Sequence, residues 1–359
     1  MSGYNISSLK KGLVLDMKLD SDSEKTSLQY ASDFTAGADS WLKETGVLSI
    51  TGNIDVGGET DTLRFTLNSG NSVHYIDRAT PTTTVGKSYR IMFDYYIPSS
   101  NSNADGIRLF DGAGSAYQGT QSVLDAWTSN SVDIVATVTD HVRFYAYDGG
   151  AITFEDAGGN DVLYIKNYKI LELQTADNTP NSNNGVVYGA TQNAEDMSFN
   201  GTSDYIQLTD TQTLAINTSL AFTAKINVKD YSGIIGHTAG GTNYLRFGQS
   251  TGTENNRIYG ETHTEGDTLI LDFDGSLSYD TWYDFVIVRD GSIFKLYVNG
   301  SLQSDTDSSS VDLYFSRIGQ GRGGSDYLDG SMKKMKFYNR ALSADEIELL
   351  YKGLGEVRL

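Results

Sequence analysis

The 359-residue sequence contains no cysteine, only 3 prolines and only 4 histidines, and each shortage excludes something. Without cysteine there are no disulfide staples, no thiolate-held zinc or iron–sulfur cluster and no thiol nucleophile. His74, His141, His237 and His263 lie far apart, with no H-x-x-x-H or H-x-H spacing that would mark a metal-hydrolase centre. Basic residues are also scarce. Lys and Arg number 27 against 46 Asp and Glu, a formal net charge of −19, and residues 27–174 hold 9 of the basic and 18 of the acidic residues. The acidity is therefore shared by both parts of the chain and reads as solubility. Carboxylates offer phosphate no counter-charge, which argues against nucleic acid or an anionic membrane as partner. No apolar run approaches the ~20 residues of a membrane-spanning helix. The opening MSGYNISSLKKGLVLDMKLD lacks the continuous apolar stretch of a signal peptide. The N-x-S/T sites at Asn5, Asn200, Asn217 and Asn299 then count as chance matches in a Ser/Thr-rich chain.

What is present is strand periodicity. Short alternating runs rich in Val, Ile, Tyr, Phe and Thr recur about every ten residues between Gly, Asn, Asp and Ser clusters. Ser88–Ile97, Val142–Tyr147, Val162–Leu171, Phe222–Val228, Trp282–Arg289 and Phe294–Asn299 are examples. Asp290-Gly291 between the last two predicts a hairpin, because the central residues of its turn need positive φ. One helix is predicted near the end: Ser343 and Glu346 form a capping box, Ile347, Leu350 and Tyr351 an apolar stripe, and Gly353 the stop. The fold class is thus all-β, with two β-sandwich or jelly-roll domains and one short C-terminal helix. Two polar breaks, Asp20–Thr26 and Thr175–Gly185, mark boundaries.

From Thr175 onward the chain resembles the laminin-G-like, concanavalin A-like lectin/glucanase superfamily. The resemblance is carried by NSNNGVVYGA at Asn181–Ala190, MSFNGTSDYIQL at Met197–Leu208, KLYVNGS at Lys295–Ser301, and LDGSMKKMKFYNRALSADEIELLY at Leu328–Tyr351. It implies that GLVLDMKLD at Gly12–Asp20 is the family's first strand, separated from its partner motifs by about 150 residues. The expectation is therefore an N-terminal arm at 1–11 that serves in attachment. A lectin-like sandwich follows from 12–23 plus 175–359, with a second domain at 24–174 inserted in its first loop, as exposed polar loops tolerate. Two tandem domains are the alternative. The insert resembles a galactose-binding-like jelly roll of the carbohydrate-binding-module type, through Asp33–Trp41, Val85–Ile97, Trp127 and Val162–Leu171.

A glycosidase on this scaffold needs two carboxylates flanking the scissile bond. The glucanase branch supplies them as E-x-D-x-x-E, which is absent. Asp272-Phe273-Asp274 aims two carboxylates to one face but reads as a charged strand end. Gly248-Gln249-Ser250-Thr251-Gly252 matches G-x-S-x-G without the strand–helix setting of a nucleophile elbow. Gln320–Gly324 is glycine-rich without the Lys-Ser/Thr of a phosphate loop. The family resemblance implies a structural calcium, for which Asp204 and Asp329 are the candidates, each of which reads equally as a turn Asp. For a glycan, stacking rings ringed by hydrogen-bonding groups are needed. His237, Asn243, Tyr244, Arg246, Arg257 and Tyr259 supply them on one strand–loop–strand stretch, and Trp41, Trp127 and Tyr117 are secondary candidates in the insert.

The resulting expectation is a non-enzymatic surface or adhesion protein that binds a glycan or cell-surface polysaccharide. The architecture resembles bacteriophage virion proteins such as head fibres, decorations and tail adhesins. That implies other virion proteins as partners, a homo-oligomer, synthesis in the cytoplasm and display outside the cell after release. A polysaccharide depolymerase and a purely structural spacer are the rival readings.

Overall fold

The structure, a computed structural model, describes residues 7–21, 24–43, 47–67, 75–78, 81–102, 104–111, 113, 115–147, 161–227, 232–237, 242–248, 257–261, 267–275, 277–323 and 325–353. The chain forms two compact units, residues 1–25 with 174–359 and residues 26–173, so the second is inserted in the first. Both are built of β-sheets, and among the described residues no helix is long and apolar enough to cross a membrane.

In unit 1 the first sheet runs in the order Thr191–Gln192, Met197–Asn200, Asp329–Tyr338, Thr218–Ile226, Trp282–Asp290, Ile293–Val298 and Ser301–Ser308. Asp329–Tyr338 is long enough to take two partners on one side. Its first half pairs with Met197–Asn200 and its second half with Leu13–Lys18. That pairing explains the early strand GLVLDMKLD: Leu15 and Met17, two residues apart, are both fully buried. The hairpin between Trp282–Asp290 and Ile293–Val298 turns at Gly291-Ser292, one residue later than the Asp290-Gly291 expected. Asp290 still pairs with Ile293, and only Gly291 of the two takes positive φ, +64°.

The second sheet of unit 1 runs Thr268–Asp272, Arg257–Glu261, Tyr244–Phe247, Ser232–Gly236, Leu313–Ile318, Tyr205–Leu214 and Gly185–Tyr188. Leu245, Phe247, Ile258, Leu269 and Leu271 line its inner face, and Phe247 meets Phe222 and Phe285 of the first sheet. The polar stretch read as a boundary is an ordered loop. The Asp177 carboxylate accepts the amides of Asp16 (3.0 Å), Thr179 (2.9 Å) and Asn183 (2.9 Å) and the Thr179 hydroxyl (2.9 Å).

Helix α2 (Ala344–Tyr351) has the expected capping box. Ile347, Leu349 and Leu350 are its buried residues, whereas Tyr351 is 46 % exposed. Arg340, in the turn before the helix, grips Glu346 with both terminal nitrogens (2.7 and 2.8 Å) and donates to the carbonyls of Ser8 and Lys11. It thereby holds a helical turn, α1 (Ser7–Lys10), whose Leu9 is buried against Leu342 and Ile347. Of the expected arm, Leu9 is thus buried while Lys10 and Lys11 are exposed, and 1–6 lie outside the described residues.

Unit 2 has one sheet in the order Val47–Val56, Glu59–Leu67, Val162–Thr175, Ser88–Tyr96, Thr128–Val135 and another in the order Leu42–Lys43, Tyr75–Asp77, Arg143–Tyr147, Gly106–Phe110. Its core includes Phe65, Phe93, Phe144 and Tyr168. Trp41 belongs to that core, edge-on to Tyr168 at 5.1 Å.

Candidate functional site

Period-2 alternation divides the second sheet of unit 1 into a core face and an outer face. With Leu245 and Ile258 inward, Tyr244, Arg246 and Tyr259 all point outward, Arg246 lying directly across from Tyr259. The neighbouring strand contributes Gly233 opposite Arg246 and Gly236 opposite Tyr244. Those two glycines have a steric reason. A Cβ on Gly233 would stand 2.1 Å from the Gly321 nitrogen, and one on Gly236 would stand 2.2 Å from the Gly321 oxygen. The segment after Leu313–Ile318 therefore doubles back as a strap lying on the bare backbone of Ser232–Gly236. It is closed by the bridge between Gln320 and Tyr327.

The strap delivers Asp326 to Arg246, an ion pair at 2.5 Å whose side chains are 5 % and 7 % exposed. The Arg246 guanidinium also lies over Tyr244 (5.3 Å) and Tyr259 (5.0 Å). Three of the six expected glycan residues are thus brought together, and all three are buried. Burial pushes the Tyr244 hydroxyl strongly up in pKa, with Arg246 opposing, and burial together with Glu261 raises Tyr259. Buried rings cannot be a stacking platform: they pack about the Arg246 guanidinium that Asp326 of the strap holds. The other three stand around them. Arg257 is paired with Asp272 (2.7 Å), Asn243 takes φ +69° in the turn and accepts the Tyr314 amide (3.1 Å), and His237 is half-buried at the end of Ser232–Gly236.

The same face carries residues that sequence reasoning passed over. Tyr188 and Tyr205 face each other across adjacent strands with stacked rings, 4.5 Å and 8° apart. The Arg317 guanidinium lies 4.6 Å over Tyr205, donates to Gln207 (3.1 Å) and reaches Gln320 of the strap. Burial raises the Tyr205 pKa while Arg317 opposes the rise. These groups are half-buried, hence reachable. Their signal was the alternation itself: with Val187, Ile206 and Leu208 in the core, Tyr188, Tyr205 and Gln207 must face out.

Of the calcium candidates, Asp204 closes the turn Asn200–Asp204, and Asp329 stands across from Asn200 on the neighbouring strand. The Asp204 carboxylate accepts the Asn200 amide (3.0 Å) and the Ser203 hydroxyl (3.2 Å), and burial raises its pKa. Asp329 accepts from the Asn227 amide side chain (3.1 Å). Among the described residues no three His, Asp or Glu side chains are grouped to hold a metal. The Asp272/Asp274 pair is likewise occupied. Asp272 binds Arg257, and Asp274 accepts from the Ser304 hydroxyl and amide, which hold its pKa below the usual range. His74, His263 and most of the G-x-S-x-G stretch lie outside the described residues. In unit 2, Trp127 donates to the Val56 carbonyl (3.0 Å) beneath the Lys166 ammonium (4.7 Å from the ring), and the Tyr117 ring packs on the core.

Residues 200–348 match the profile of the concanavalin A-like lectin/glucanases superfamily, laminin-G-like branch, and form a domain of that kind. No curated protein matched the chain in a sequence search. Among solved structures, the botulinum neurotoxin serotype D ligand binding domain in complex with N-acetylneuraminic acid is similar at 20% identity, over 50% of this chain and 48% of that one, with a TM-score of 0.37. Domain 4 of AbnA, a GH43 extracellular arabinanase from Geobacillus stearothermophilus, in complex with arabinotriose, is similar at 14% identity over 49% of this chain and 92% of that one, TM-score 0.37. This chain spans about half the length of the neurotoxin structures it matches.

Proposed function

We propose that this protein binds a glycan, without catalysis, on the outer face of the second sheet of unit 1. The observation that carries the reading is the tyrosine–arginine row on that face, with Tyr188, Tyr205 and Arg317 within reach of solvent. Ring surfaces take up the C–H faces of a pyranose, and guanidinium and amide groups such as Arg317 and Gln207 hydrogen-bond its hydroxyls. Half-buried His237 extends the polar surround, and Arg257, mostly buried and paired with Asp272, borders it. Tyr244, Arg246 and Tyr259 stand on the same face, buried beside the site. The family match over residues 200–348 supports the reading because it covers most of this sheet. The absence of chemistry is supported by Asp272 and Asp274, whose carboxylates are spent on Arg257 and Ser304. The same proposal places the protein on a particle surface, as an oligomeric head fibre, decoration or tail adhesin of a bacteriophage, outside the cell after release. That part rests on the resemblance of its architecture alone.

The test is a glycan array probed with the whole chain and with Tyr205→Ala and Arg317→Ala. Binding of at least one glycan class is expected, weakened at least about tenfold by either substitution with the circular dichroism spectrum unchanged. No bound glycan from a chemically broad array would overturn the reading in favour of a structural spacer. Release of reducing sugar from a polysaccharide would overturn it in favour of a depolymerase.

A further inference from the structure

Thr268–Asp272 ends the second sheet of unit 1, and among the described residues no strand pairs with its outer side. Pairing with Arg257–Glu261 uses the amides of alternate residues, which leaves those of Ile270, Asp272 and Asp274 pointing off the edge. Three such donors along Thr268–Asp274, one of them inside the apolar Leu269–Leu271 run, invite pairing with a strand of another chain. Here each one is met by a side chain from the edge of the opposite sheet. Asp307 accepts from the Ile270 amide (2.7 Å), Asp305 from the Asp272 amide (2.9 Å), and Gln303 from the Asp274 amide (2.8 Å). Asp274 returns the contact by accepting the Ser304 amide (2.9 Å), and the Ser309 hydroxyl donates to Asp267 (2.6 Å). The acceptors stand two residues apart on Ser301–Ser308, so their ~6.8 Å repeat matches that of the alternate amides on an antiparallel neighbour.

We infer that Gln303, Asp305 and Asp307 form a clamp that closes this edge with side chains and keeps it from pairing with a second copy of the chain. A carboxylate accepts but cannot donate, so the clamp caps the edge without extending the ladder, and its charges repel a second copy presenting the same residues. A second copy is the occupant because an antiparallel pair of identical Thr268–Asp272 edges is self-complementary about a twofold axis.

The test compares the whole chain with its Asp305→Ala/Asp307→Ala and Asp305→Asn/Asp307→Asn variants by sedimentation at several concentrations and by amide hydrogen exchange. The alanine variant is expected to exchange the Ile270 and Asp272 amides about tenfold faster or more and to gain mass with concentration beyond the wild-type state. The asparagine variant, which keeps an acceptor oxygen, is expected to retain slow exchange. Unchanged mass and exchange in the alanine variant would overturn the inference, as would faster exchange with no added self-association. Should the double variant fail to fold, Asp307→Ala alone poses the same two questions at Ile270.

Discussion

Replacing Arg246 by alanine tests the buried cluster beside the proposed site. The Arg246–Asp326 pair and the Lys352–Glu348 pair both close at 2.5 Å, yet their side chains are 5 % and 7 % exposed in the first and 45 % and 49 % in the second. Water screens the helical pair, so losing it costs about 0.5 kcal/mol or less. Removing Arg246 leaves the Asp326 carboxylate buried under its own strap with its ion-pair partner gone, and breaking such a pair costs about 3–5 kcal/mol. In a unit of this size that lowers Tm by about 6–20 °C. Urea unfolding followed by hydrogen exchange on peptides covering residues 244–247 reads unit 1 separately from unit 2. Lys352→Ala serves as the distance-matched control. The double variant Arg246→Ala/Asp326→Ala is expected to cost less than the two single losses added, because neither charge is then stranded. A cost below 1 kcal/mol for Arg246→Ala, or strictly additive singles, would refute the claim that burial makes this pair a structural latch.

Gly233→Ala is expected to lift the strap, since its Cβ would overlap the Gly321 nitrogen at 2.1 Å. Limited proteolysis should then cut within residues 321–325 where the wild type resists, and equal resistance would show that the strap does not lie on that glycine. For Glu346, burial acts to raise the pKa, but Arg340, the Ser343 amide and Ser8 outweigh it and hold it at about 2, against 4.5 for the free group. A folded-state pKa below the unfolded one contributes stability above pH ~4.5 that disappears as pH falls through about 2. Amide protection in α2 should therefore decline over that window before the sheets unfold, and Arg340→Ala should move the Glu346 carbon-13 titration upward. A Glu346 midpoint near 4.5 in the wild type would contradict the Arg340–Glu346 pairing.

Much of this architecture was legible in the residues. Alternation is a local property of the chain, so the strands at Ser88–Tyr96 and Trp282–Asp290 could be read directly, and the Ser343/Glu346 box announced α2 because a cap involves neighbours three residues apart. The early Leu13–Lys18 strand was recognised only by resemblance, since its partner Lys334–Tyr338 lies more than 300 residues away. Tyr351 was misplaced on the buried stripe because the helix rests on the first sheet through Ile347, Leu349 and Leu350.

The site divides in the same way. Residue order dictated that Tyr244, Arg246 and Tyr259 share one sheet face, since a strand alternates whatever surrounds it. Whether that face meets water was decided by the tertiary fold. The strap that covers it arrives 80 residues later in the chain to pair Asp326 with Arg246, and it fits only over Gly233 and Gly236. The acidic balance was read as a sign of solubility, with the basic residues given no role outside the candidate site. In the folded protein Arg246, Arg317 and Arg340 each hold distant segments together, because a guanidinium's several donors can bind groups that only folding brings near.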